Sequence, residues 1–226
     1  MSPPSYPRIP HLVGGRGTDD DRVLAPSDAA SLLAAEVVVE EKLDGANVML
    51  WLEDGRIEAA LRSGPGSADR AGQLGPLRAW VGEHSDALRD LLGELDGGAL
   101  YGEWLYLTHT IAYNRLPSYL VVLDLAGGDG AFCSTGERDA AADRHGLATP
   151  PHLFQGVTGS LTSVEGLIGG SRFGDEPMEG VVVRRSDGGQ PRLAKLLRPG
   201  LQRLTDADWA AGRPRNRLAD PERSWR

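Results

Sequence analysis

The chain has 226 residues, 40% of them hydrophobic and 25% charged, so it has the composition of an ordinary folded protein and not of a disordered one. Its formal charge of −8 argues against indiscriminate binding to nucleic-acid phosphates, and its single cysteine, Cys133, excludes an intramolecular disulfide framework and any cysteine-based zinc site. No run of about 18 apolar residues is present to span a membrane, and MSPPSYPRIPHL lacks the layout of a signal peptide, so a cytoplasmic protein with no membrane association is expected.

Residues 1–30 are loop-rich. Gly14, Gly15 and Gly17 flank Arg16, but no G-K-[ST] follows and no strand leads in, so a phosphate loop is not expected. Asp19, Asp20 and Asp21 read as a solvated turn. Ser27 or Asp28 is the expected cap of a short helix ending near Ala35. EVVVE and NVMLWLE then read as strands, Asp54-Gly55 as a hairpin turn and RIEAALR as the return strand. Lys42 falls at a strand-to-turn junction, where Gly45 permits a bend.

Pro76 to Leu95 predicts one amphipathic helix, with Leu77, Trp80, Val81, Leu88, Leu91 and Leu92 on a shared face. GALYGEWLYL predicts a strand with Glu103 in its middle, and the nearly continuous apolar run YLVVLDLAG a central buried one. Glu137 to His145 and Leu161 to Ile168 are expected to be helical, Pro150-Pro151 to break the chain, and GGSRFGDEP to be a flexible loop. EGVVVRR and PRLAKLLR predict a second strand pair joined by SDGGQ. From Leu201 onward the chain is polar and Arg-rich, with a short helix expected near 205–211. The fold class is α+β, mainly antiparallel sheets flanked by a few helices. Residues 1–200 are expected to form one domain and 201–226 an Arg-rich tail.

The basic residues are unequal. The chain holds 22 arginines and two lysines, Lys42 and Lys195. An arginine keeps its proton at any accessible pH, so it cannot act as an amine nucleophile, whereas a lysine can. A chain that otherwise uses Arg for positive charge therefore draws attention to its lysines.

Both lysines fall in an ordered set of short elements. EKLDGAN (41–47) resembles the K-x-D-G-x-N element of the covalent nucleotidyltransferases, the ATP-dependent RNA and DNA ligases and mRNA capping enzymes. LRSG (61–64), YGEW (101–104), VVLDL (121–125), MEGVVVR (178–184) and LAKLLRP (193–199) resemble the elements that follow in that superfamily, in the same order. The link LYLTHTIAYNRLPSYLVVLDL is similar to that of small RNA-ligase-like proteins. The resemblance implies a ligase-type, ATP-grasp-like adenylation domain without an OB domain, using ATP and Mg²⁺ (or Mn²⁺). It implies that Lys42 attacks the α-phosphorus of ATP and forms lysyl–AMP, with Lys195 as the second catalytic residue. Glu41, Asn47, Arg62, Glu103 and Leu123 would join the two lysines in binding the nucleotide, and Glu179 would hold the metal. Asp44, Gly45 and Arg198 are further candidates. For Asp44 two readings stand: a place on the same side of a strand as Lys42, or a role in holding the turn.

The sequence departs from the family pattern at two positions. Leu123 stands where an aromatic usually stacks on adenine, with Tyr119 as a nearby alternative. Leu197 stands where a second lysine is common, and Arg198 beside it would point to the opposite face of a regular strand unless a bulge redirects it. The implied partner is a polynucleotide with 5′-phosphate and 3′-hydroxyl ends, RNA in preference to DNA. The Arg-rich tail or a partner protein would supply the grip that further domains give in larger ligases. A DNA ligase core without an OB domain and a catalytically weak end-binding scaffold are the alternatives.

Overall fold

The computed structural model describes residues 6–14, 22–61, 72–186, 192–201 and 212–221. The chain divides into two compact units. One, Pro7–Leu43 with Pro150–Arg203, holds both lysines and is called the lysine unit here. The other, Met1–Tyr6, Asp44–Thr149 and Leu204–Arg226, contains the first hairpin and is called the hairpin unit.

The lysine unit is a four-stranded antiparallel sheet built from β1 (Glu36–Lys42), β6 (His152–Val157), β7 (Gly180–Arg185) and β8 (Leu193–Leu197), in the order β6-β1-β7-β8. Side chains alternate across a strand. Val37 and Val39, Val181 and Val183, and Ala194 and Leu196 therefore share one face. They are buried with Leu12, with Leu32 of helix α1 (Pro26–Leu33), with Val164 of helix α5 (Leu161–Glu165) and with Met178.

The hairpin unit is a second antiparallel sheet, in the order β3-β2-β4-β5, from β2 (Ala46–Glu53), β3 (Arg56–Leu61), β4 (Ala99–Trp104) and β5 (Leu120–Ala126). Every residue of β4 is buried. Helices α2 (Leu74–Glu83) and α3 (Ser85–Glu94) cover this sheet with Leu77, Trp80, Val81, Leu88, Leu91 and Leu92. Helix α4 (Thr135–Arg144) adds Ala141 and Ala142. The two antiparallel sheets with five helices among the described residues are the expected α+β class.

The structure differs from the sequence reading at four places. The cap of α1 is Ala25, with no side-chain hydrogen bond. Pro26 occupies the first turn, where its fixed φ suits a helix start, so Ser27 and Asp28 lie inside the helix. The expected helix over 76–95 is two helices. His84 interrupts it, its ring stacked on Trp80 at 4.0 Å and its Nδ1 2.8 Å from the Trp80 carbonyl oxygen, which also accepts the His84 amide. Strand β6 follows Pro150-Pro151 without any apolar alternation to announce it. It is an edge strand with mixed exposure, held by pairing to β1. Helix α4 begins at Thr135, before the expected Glu137, because Ser134 and Glu137 form a reciprocal capping box. The helix expected at 205–211 lies outside the described residues, as does the 14–17 glycine run beyond Gly14.

Candidate active site

The lysine unit places its two lysines on one face of one sheet. In the ladder, Lys42 lies opposite Gly180, which lies opposite Leu197. Glu40 lies opposite Val182, which lies opposite Lys195. Directly opposed residues share a face, as do residues two apart. Lys42 and Lys195 therefore stand on the side away from the apolar core, two strands apart and two residues out of line, or about 12 Å between backbones at the usual strand dimensions. Two flexible four-carbon stems can reach one polyphosphate from there. The backbone of Lys195 is fixed from outside β8: its amide donates to the Pro10 carbonyl (2.9 Å), and its carbonyl accepts the Leu12 amide (2.8 Å).

Lys42 is paired. Its Nζ contacts the Glu179 carboxylate and lies 3.4 Å from the carbonyl oxygen of Leu43. Glu179 is buried and Lys42 half-buried, so the ion pair is only partly screened by water. Gly180, next to Glu179, cannot be another residue. A Cβ there would stand 2.2 Å from the Leu196 carbonyl oxygen. A second pair shares the lysine face: Arg184 Nε donates to buried Glu40, and His152 Nε2 is 3.5 Å from the other Glu40 oxygen. Leu197 lies on this face and Arg198 does not. The β7–β8 ladder has no register shift, and Arg198 follows the end of β8 with its amide on the Glu179 carbonyl (2.9 Å).

Glu41 faces the other way. It lies on the core side of β1 with Val37 and Val39, where its carboxylate accepts Ser171 Oγ–H (2.5 Å) and the Arg172 amide (2.8 Å). Burial pushes its pKa above the usual carboxylate range. The Ser171 hydrogen bond, the Arg172 amide and the Arg172 charge offset part of that rise. What Glu41 can present on the Lys42 side is backbone.

The hairpin unit carries the rest of the K-x-D-G-x-N element. Asp44 Oδ2 accepts the amides of Thr110 (2.5 Å) and Ile111 (2.9 Å), and the Asp44 amide donates to Tyr113 Oη (2.9 Å). Its carboxylate is thus engaged in holding the 108–113 link. The Gly45 amide donates to Glu103 Oε1 (2.9 Å). A Cβ on Gly45 would stand 2.5 Å from the Trp104 carbonyl oxygen, so the close approach of the turn to β4 requires glycine. Asn47 lies opposite Glu103 in the β2–β4 ladder, with its Nδ2 3.4 Å from the Gly102 oxygen.

Leu123 is half-buried and sits at a bulge. Tyr101 pairs with Asp124 and Gly102 with Val122, leaving Leu123 as the extra residue, its carbonyl accepting from Arg138 Nη1 (2.9 Å). Asp124 beside it is buried and accepts Tyr6 Oη–H. Tyr119 packs its ring against Trp104 and Tyr106 and donates its hydroxyl to the Asn216 carbonyl (3.3 Å). Arg62 lies outside the described residues.

Sequence reasoning passed over Glu40, Ser171 and Asn216. Asn216 is buried in the link: its Oδ1 accepts from Thr108 Oγ1 (2.8 Å) and the Tyr113 amide (2.9 Å), and its Nδ2 donates to the Leu105 carbonyl (2.8 Å). Its partners are about a hundred residues away in the chain, and no local pattern signals them. Glu40 had a signal, a charge directly after a valine run and inside the strand.

Among the described residues no three His, Cys, Asp or Glu side chains gather to hold a metal ion. Mg²⁺ commonly keeps several waters and takes one or two carboxylates together with substrate phosphates. Glu179, the carboxylate beside Lys42, fits an ion that arrives with a nucleotide. It does not fit a cage made by protein alone. Among the described residues no helix is long and apolar enough to cross a membrane.

The fold is similar to that of solved Naegleria gruberi RNA ligase. A variant of that enzyme with ATP and Mn matches with a TM-score of 0.59 at 16% identity, over 92% of this chain and 58% of that one. A variant with AMP and Mn matches with a TM-score of 0.59 at 15% identity, over 92% and 57%. The enzyme with pyrophosphate matches with a TM-score of 0.54 at 16% identity, over 87% and 61%. The chain thus spans somewhat over half the length of these enzymes, and at such identity the likeness is one of fold. No curated protein matches the chain in sequence. The family model described as RNA ligase matches residues 35–197, from just before β1 to the end of β8. A match over that much of its length means that the chain belongs to the RNA ligase family.

Proposed function

We propose that the chain is an ATP-dependent polynucleotide ligase that acts on RNA in preference to DNA and works in the cytoplasm. The observation that carries this reading is the placement of the chain's two lysines on one face of one sheet, with Glu179 against Lys42. The Lys42 nitrogen attacks the α-phosphorus of ATP. An N–P bond forms, the α-phosphorus–oxygen bond to pyrophosphate breaks, and lysyl–AMP results. Lys42 must shed a proton first. Lys195, two strands away, serves the phosphate more than the amine, offsetting charge as pyrophosphate departs. Glu179 would hold Mg²⁺ or Mn²⁺, which when bound supplies positive charge at the phosphates. A 5′-phosphate oxygen then takes AMP from Lys42, and a 3′-hydroxyl displaces AMP to form the phosphodiester.

Within this reading, Asn47, Arg62 and Glu103 contact the nucleotide, with Glu103 suited to ribose hydroxyls. Leu123 offers an apolar surface to the base, and Glu41 contributes through its backbone. Asp44 and Gly45 set the turn that follows the nucleophile, and Arg198 is a secondary phosphate contact. Residues 1–200 perform adenylation and 201–226 form the Arg-rich tail. The other substrate is an RNA with 5′-phosphate and 3′-hydroxyl ends, and a protein partner can add grip on it.

The test is the intact mass of the protein after incubation with ATP and Mg²⁺, with Lys42→Arg beside it. The expected result is an increase of one AMP in the wild type and none in the variant. An adduct that survives in Lys42→Arg, or none in the wild type with either ATP or GTP, overturns the reading.

A further inference from the structure

The ligase reading leaves open what holds the RNA, and residues 212–221 of the hairpin unit bear on it. This segment runs alongside the 105–119 link. Thr108 N donates to the Pro214 carbonyl (2.9 Å), Asn216 N to Tyr106 (3.0 Å), Arg217 N to Tyr113 (2.9 Å), Leu116 N to Arg217 (3.0 Å) and Ala219 N to Leu116 (2.8 Å). Successive side chains of an extended segment point to opposite sides. Asn216 and Leu218 are buried, which turns Arg215 and Arg217 outward, and both are exposed. Arg213 anchors the start of the strap, its Nη1 donating to the carbonyls of Thr108 (2.8 Å) and His109 (2.6 Å). The Arg215 guanidinium lies 4.9 Å from the centre of the Tyr106 ring. Exposed Arg115 precedes Leu116, which bridges to Leu218, and Asp220 is the exposed acid of the strap.

We propose that this strap is a binding surface for the phosphate backbone of the RNA strand to be joined, with Arg215, Arg217 and Arg115 as its phosphate contacts. The proposal rests on the ligase reading for the identity of the strand. The physical case is threefold. A chain of net charge −8 has placed three arginines together in the open. The buried alternation of Asn216 and Leu218 fixes the strap's register, so its backbone loses little freedom when a strand binds. A guanidinium stacked on Tyr106 keeps its edge donors for a phosphate, and its planar fork suits that acceptor.

The experiment uses the full chain, a fluorescein-labelled 5′-phosphorylated single-stranded RNA and fluorescence anisotropy across a salt series. The variant is Arg215→Gln with Arg217→Gln, and its urea unfolding midpoint checks that it is folded. Losing two phosphate contacts is expected to weaken binding about tenfold at low salt. It should also flatten the slope of log affinity against log salt by about 1.4, at about 0.7 per contact on a single strand. Adding Arg115→Gln should flatten it further. An unchanged affinity and slope in the variant, or no RNA binding by the wild type, overturns the surface and leaves the strap as a site for an acidic protein partner or as structure alone. The lysyl–AMP mass test on the wild type is independent. An adduct with no strap effect sinks the surface only, and a strap effect with no adduct sinks the ligase reading only.

Discussion

In the sheet of the lysine unit, the face turned from the core holds charged side chains matched to one another: Lys42 with Glu179, and Arg184 with Glu40. In the hairpin unit the carboxylates of Asp44 and Glu103 are matched to backbone amides instead, those of Thr110, Ile111 and Gly45. The difference bears on what each can do. A side-chain ion pair can exchange one partner for an anionic ligand without breaking any backbone hydrogen bond. A carboxylate that satisfies backbone amides cannot leave without stranding them, at about 1–3 kcal/mol for each buried group. The six-residue stretch from Lys42 to Asn47 thus passes from chemistry to architecture within three positions.

The strongest way to break this comparison is Lys195→Met. Lysine and methionine are similar in length, Lys195 is half-buried, and its backbone bonds to Pro10 and Leu12 do not depend on the side chain. The expected result is a urea midpoint close to that of the wild type and a rate of adduct formation lower by about 10²–10³-fold, the usual cost of one transition-state charge partner. Adduct formation in rapid-quench mass measurements separates the two. A variant that unfolds but forms adduct at the normal rate would move Lys195 into the architecture.

Asp44→Ala should do the reverse. It strands the Thr110 and Ile111 amides, and the expected loss is about 2–3 kcal/mol in urea unfolding. Asp44→Asn keeps one acceptor oxygen and should recover part of it. If both variants were as stable as the wild type and only adduct formation suffered, Asp44 would belong with Lys42 as a group of the reaction.

The asymmetry also explains what was legible in the sequence. The lysine pair was readable because Arg had replaced Lys elsewhere, the β1 and β7 strands because valine runs mark buried strands, and β8 from its short Leu-rich apolar run. The division of Asp44 from Lys42 was not readable. A spacing of two suggests a shared strand face, but β1 ends at Lys42 and β2 starts at Ala46, so Asp44 lies in the turn. The orientation of Glu41 was readable in principle, since alternation alone sets it opposite Lys42. Strand β6, the break at His84 and the Asn216 hub were hidden for one reason. Each is decided by a partner distant in sequence or by a ring stacking on its own helix, and no local propensity records either.

Glu41 offers the smallest effect and tests the comparison most finely, because it is a carboxylate of the lysine unit that behaves like those of the hairpin unit, bonded to Ser171 Oγ and the Arg172 amide. Burial raises its pKa in the folded state above the ordinary 4.5. Between those two values the folded chain holds a proton that the unfolded chain has released, so stability falls as pH rises through that window and stays lowered above it. Below the ordinary value both states are protonated, and the penalty vanishes. Glu41→Gln removes the titration, while its amide oxygen can still accept the Arg172 amide and its NH₂ can donate to Ser171. The difference in urea stability between variant and wild type should therefore shift in favour of the variant as pH rises from 4.5, and level off once Glu41 is ionised. The adduct rate should hold, since the side chain faces the core and only its backbone is assigned to the nucleotide. A difference independent of pH would mean that Ser171 and Arg172 fully repay the desolvation of the carboxylate. A lost adduct at unchanged stability would mean that the Glu41 side chain reaches the nucleotide after all, and β1 would then have to turn over to deliver it.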